Sequence, residues 1–152
     1  MSHWRVARIR FNPACELIVP TPADAALDIV TASFTRRKFR LATEEHTLPV
    51  GLRFGNAAAS FFGDAFLTPL DLLPIVQSGT VVITADARDD GTTSIMVALR
   101  SSSTLWAMND RMLACMAVAV DELVANGLLI EARDPVPARS LPKDHPGRER
   151  MW

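Results

Sequence analysis

The sequence predicts an α+β fold. An antiparallel sheet of about four to six strands packs on an N-proximal helix and a long C-terminal helix, with a short helical insertion at about 57–73. Three observations carry this prediction. Residues 80–100 alternate as two strands around a glycine-containing turn. Residues 104–126 read as one long helix with an unbroken apolar centre. The stretch "CELIV" (15–19) is a short apolar strand bounded by Pro13 and Pro20, and it runs straight into the helix signature "TPAD" (21–24).

In "TPAD", Thr21 suits the N-cap, Pro22 the first helical position, and Asp24 the third residue after the cap. The helix is expected to continue to about Arg36, with Ala23, Leu27, Val30 and Phe34 on one face and Asp24, Asp28, Thr31 and Thr35 on another. Its basic end, Arg36-Arg37-Lys38, complements the negative end of the helix dipole. "FRLATEE" (39–45) and "LPVGLRF" (48–54) read as two strands joined by a turn, with Pro49 marking the second as an edge.

The hairpin at 80–100 fixes its own register. A two-residue Asp90-Gly91 turn would put the apolar triplets of its two strands on opposite faces. A three-residue loop, Asp89-Asp90-Gly91, pairs Ala85 with Ile95, Ile83 with Val97 and Val81 with Leu99, which puts both on one face. It also places Gly91 where a type I turn with a G1 bulge needs a left-handed residue. The opposite face carries Thr80, Val82, Thr84, Met96, Ala98 and Arg100, a mixture that asks for partial cover. "SSST" (101–104) is expected to break the strand and cap the long helix, which Asn126-Gly127 closes. The helix centre "MLACMAVAV" (112–120) has no polar face, so it must be covered on more than one side, by the sheet or by a second chain.

Residues 56–76, "NAAASFFGDAFLTPLDLLPIV", are as apolar as a membrane span but fail as one. Gly63, Pro69 and Pro74 interrupt them, and Asp64 and Asp71 would sit in the span without partners. "TPLD" (68–71) repeats the cap signature, so the run parses as two short helical pieces within a soluble sheet. Such an insertion covers core, lids an apolar cavity, or meets a membrane or another subunit. Core is the commonest use of such stretches.

With 152 residues and 49% hydrophobic content, one domain over 1–130 can bury a core without disulfides or metal. From 131 to 152 the prolines and mixed charges read as a disordered tail. Cys15 and Cys115 lie in apolar runs and are expected as free buried thiols of a reducing cytoplasm, and the N-terminus has no secretory apolar region. The net charge is −1, which makes nucleic acid an unfavoured partner even though "RRKFR" (36–40) is locally basic.

No chemistry rises above background. His3, His46 and His145 have no metal-ligand spacing, and no nucleophile elbow, phosphate loop or dinucleotide fingerprint is present. Asp86, Asp89 and Asp90 are explained by turn chemistry, and no cofactor or catalytic residue is expected.

The segment "ELIVPTPADAALDIVTA" (16–32) resembles the opening of helix-grip domains, the START and Bet v 1-like group. The hairpin followed by a long helix resembles their closing section. The resemblance implies a curved sheet gripping helix 104–126 with an apolar cavity between them, and it carries over no catalytic residue. The candidate lining is Phe61, Phe62, Phe66 and Leu70 from the insertion, with Met96, Met112 and Met116 from sheet and helix. The functional expectation is a domain that binds a hydrophobic small molecule. Its alternative is a homodimerising interaction module using helix 104–126 or the 57–73 insertion.

Overall fold

The computed structural model describes residues 9–43, 48–55, 78–102 and 107–149. It is an α+β fold built on one antiparallel sheet. In chain order its elements are β1 (Pro13–Pro20), α1 (Asp24–Thr35), β2 (Arg40–Leu41), β3 (Val50–Phe54), β4 (Gly79–Ala87), β5 (Thr92–Ser102), α2 (Ala107–Ala125), β6 (Glu131–Ala132) and β7 (Val136–Pro137). The strands lie in the order β2-β3-β4-β5-β1-β6, and β7 also pairs with β1. The insertion at 57–73 lies outside the described residues.

The β4–β5 hairpin has the three-residue register. Ala85 faces Ile95, Ile83 faces Val97 and Val81 faces Leu99. Arg88 donates its amide to the Thr92 carbonyl at 2.8 Å, and Gly91 has φ +81°, the left-handed conformation that the loop requires. The register shifts between Thr80 and Val81, a bulge through which β5 continues to Ser102. Ser101 and Ser102 therefore pair with β4 and do not cap the helix, as the sequence suggested.

Both helices cover one face of the sheet. Leu17, Val19, Leu52, Val81, Ile83, Ile95, Val97 and Leu99 pack there against Val30, Phe34, Met112, Met116 and Leu123 in one core. α1 starts at Asp24 with Ala23 as cap residue and no side-chain cap. Thr21, expected to cap, still lies at the strand end, where its hydroxyl bonds that of Thr93 at 2.8 Å. The end of α2 matches expectation. Gly127 (φ +67°) donates to the Val124 carbonyl and Leu128 to that of Leu123, a Schellman closure. Along the apolar run of α2, Met112, Cys115, Met116, Ala119 and Val120 are buried, while Leu113, Ala114, Ala117 and Val118 are half-buried. The sheet and α1 thus cover this helix from two sides.

The segment 131–149 differs from the sequence reading. It is a strap over the other face of the sheet. β6 and β7 run along β1 with a one-residue shift between them, which raises the strand count to seven. Ala138 and Leu141 are buried with Ala14 and Ala98, and Met96 packs on this cluster. Composition suggested disorder because four prolines and few aliphatics cannot build a core. The strap needs none of its own, because it lies flat on a face already made by β1 and β5. It also supplies the cover that this mixed face asked for.

Small residues permit that contact. A Cβ built on Gly147 would lie 2.8 Å from the Ala98 Cβ. Gly147→Val is therefore expected to lift the strap. Tryptic cleavage after the exposed Arg139 and Lys143 should accelerate at least about tenfold, and stability should drop by roughly 1–3 kcal/mol. Limited proteolysis beside a urea melt reads both. Unchanged cleavage in the variant would mean that the strap does not depend on this contact.

Candidate functional site

An opening among the described residues lies on the helix side, between α1 and the β2–β3 edge. It is a cleft of about 710 Å³ lined by Leu27, Ala32, Leu41, Leu48 and Val50, with Asp24, Asp28, Thr31 and Thr35 as its polar members. Three parts of the chain build it. The α1 flank carrying Asp24, Asp28, Thr31 and Thr35 was legible as the polar face of the helix. Leu41 reaches the same side because it pairs with Leu52, whose side chain is in the core. Leu48 precedes β3 and is 47% exposed, a large apolar side chain held at the cleft mouth.

The sequence-predicted lining residues do not come together here. Phe61, Phe62, Phe66 and Leu70 lie outside the described residues. Met112 and Met116 have no solvent exposure and sit in the core between α2 and the sheet. Met96 is on the opposite face, beneath the strap. The three methionines therefore line no common cavity. The alternation of β5 already separated Met96 from Ile95 and Val97, and that was the signal to exclude it. Leu41, Leu48 and Val50 had no comparable signal, since their meeting with α1 depends on the β1-to-β2 crossover.

A second, smaller opening of about 340 Å³ lies at the strap, lined by Thr84, Asp86, Pro142, Asp144 and His145 among others. The Thr84 hydroxyl is 3.4 Å from His145 Nε2, a spacing that invites a nucleophile-and-base reading. The other ring nitrogen decides against it. His145 Nδ1 accepts the Gly147 amide at 3.0 Å. A backbone amide only donates, so Nδ1 is bare and the proton sits on Nε2. In that tautomer the imidazole donates to Thr84 and cannot take its proton. The contact holds the strap against β4.

The acidic hairpin tip is likewise structural. The Asp90 carboxylate accepts from the Thr92 hydroxyl and amide, and these bonds, the hydroxyl first, hold its pKa below the ordinary value. Among the described residues no group of three or more His, Cys, Asp or Glu is placed to hold a metal ion.

At the far end of α1 an aromatic stack joins helix and sheet. Phe34 and Phe39 meet edge-to-face at 5.1 Å, Phe39 and Phe54 at 5.2 Å, and the Arg111 guanidinium lies 4.0 Å over the Phe54 ring. Asn109, buried in the first turn of α2, donates to the carbonyls of Ile9 and Phe11 at 3.3 and 2.8 Å. Both cysteines are free and buried. Burial pushes the Cys115 thiol up to about 11, against the opposing pull of Arg37 and Arg111, and burial pushes Cys15 higher still. Neither is a nucleophile in the folded protein.

No protein-family model matches the chain, and neither a curated protein nor a solved structure shows significant similarity to it.

The buried thiols make stability depend on alkaline pH in a defined direction. The folded state keeps protons that the unfolded chain releases above its ordinary thiol value of 9.0, so their contribution is full below that pH and is lost as pH rises toward about 11. Urea midpoints should fall over this window, and a Cys15→Ala, Cys115→Ala double variant should flatten the fall. A thiol reagent at neutral pH should label the native protein only through unfolding, and rapid stoichiometric labelling would contradict the burial.

Proposed function

We propose that the chain binds an apolar small molecule in the cleft between α1 and the β2–β3 edge. The observation that carries this reading is the cleft itself. At about 710 Å³ it falls within the usual size of a small-molecule site, and Leu27, Ala32, Leu41, Leu48 and Val50 give it an apolar wall. The site expected between the sheet and the long helix has less support. Met108, Met112, Cys115, Met116, Ala119, Val120 and Leu123 have no solvent exposure, and a ligand there would have to displace them. Asp24 and Asp28 at the cleft favour an uncharged or cationic ligand over an anionic one.

A neutral fluorescent naphthylamine should show saturable, single-site binding, and native mass spectrometry of protein purified from cells should show a retained small molecule. Thr31→Trp fills the cleft from α1, and Leu48→Asp alters its exposed mouth. Each is expected to weaken naphthylamine binding at least about tenfold, near the loss of one or two buried aliphatic contacts. Binding that survives both substitutions would remove the cleft as the site.

The second reading is self-association through the end of α2. Val124 is 52% exposed and Ile130 57%, large apolar side chains on either side of the helix closure. A monomeric mass by light scattering at millimolar concentration would count against it.

A further inference from the structure

We propose that the sheet corner carrying Arg37, Lys38, Arg40 and Arg53 is a docking surface for an anionic lipid membrane. In sequence only "RRKFR" was visible, and the dipole of α1 accounts for its first three cations. The β2–β3 ladder brings Arg53 from elsewhere in the chain to its fourth, Arg40. Arg40 faces Arg53 directly across the two strands, and both are exposed. Val50, Leu52 and Phe54 fill the helix side of β3, so Arg53 and its cross-strand partner Arg40 project from the other side. Arg37 and Lys38 are exposed in the turn leading into β2. Arg36 is taken by Glu122 at 2.9 Å, whereas none of the other four has a salt bridge to a carboxylate among the described residues.

Two features of this corner lower stability, and stability alone does not account for them. Like charges directly opposite in an antiparallel pair repel. Lys38 has φ 71°, a left-handed conformation at the helix end where glycine is usual. The dipole of α1 explains neither the Arg40–Arg53 pair nor the choice of lysine over glycine. A surface that needs positive charge explains both.

The chemistry favours a bilayer over a nucleic acid. At physiological salt the local patch matters more than the net charge of −1, because screening acts within about 8 Å. Four cations near an anionic leaflet each strengthen binding about fivefold. Stacking on nucleic-acid bases needs exposed aromatics, and Phe34, Phe39 and Phe54 at this corner are buried.

Co-sedimentation with phosphatidylcholine vesicles, with and without about 30 mol% phosphatidylserine, tests this. Binding is expected only to the anionic vesicles, to vanish in about 1 M salt, and to fall about a hundredfold or more in R37Q/K38Q/R40Q/R53Q. The variant should melt at or above the parent temperature, because it removes the like-charge pair. Should it fail to fold, Arg53→Thr alone is expected to weaken binding several-fold. Equal binding to neutral vesicles, undiminished binding by a folded variant, or no vesicle binding at all would overturn the proposal. So would duplex DNA retention without vesicle binding.

Discussion

One residue of register in the β4–β5 hairpin decides where everything else can go. The loop of Asp89, Asp90 and Gly91 aligns Val81, Ile83 and Ala85 with Leu99, Val97 and Ile95, and so gives the sheet one strongly apolar face. A two-residue loop would interleave these triplets with Thr84, Met96 and Ala98 and leave neither face able to bury a helix. β1 extends the same choice, because Leu17 faces Ile95 and Cys15 faces Val97. α1 and α2 then have one face to cover, and each buried methionine or leucine there contributes roughly 1.5–3 kcal/mol.

The opposite face shows what happens when the leftovers of that choice are small. Ala14 pairs with Ala98, and the row is so flat that a backbone can lie directly on it. The strap is suited to this. Its amides at Arg133 and Ala138 donate to the carbonyls of Glu16 and Asn12, and Arg133 also reaches the Glu16 carboxylate at 3.0 Å. Pro135 and Pro137 have no amide hydrogen to offer a further strand, so the edge formed by β6 and β7 is blunted against pairing with another chain. The prolines that suggested disorder instead suit an extended, terminal cover.

Much of the fold was therefore legible, and for identifiable reasons. Alternation and turn chemistry gave the hairpin down to its pairs, and Asn126-Gly127 marked the end of α2, because these signals are local. The strap was not legible, because its partner surface is made by residues more than 30 positions away and its own composition carries no period. The cleft was half legible. The α1 flank could be read from helical spacing, whereas Leu41, Leu48 and Val50 join it only through the strand order. The methionines were assigned to a common lining by residue type, and β-strand alternation, applied to Met96, already argued otherwise.

The cleft and the basic corner have a common origin in the β1–α1–β2 crossover. β1 and β2 are four strand spacings apart in the sheet, about 19 Å. The twelve residues of α1 span about 18 Å. The helix and the residues flanking it carry the chain to the far edge, where it turns back into β2. Phe39 makes that turn, donating its amide to the Phe34 carbonyl and wedging its ring between Phe34 and Phe54. Because Phe39 points inward, its neighbours Lys38 and Arg40 are left outside. Between α1 and the edge it has reached lies the cleft beside Val50 and Leu41. Both candidate surfaces are built along this one connection.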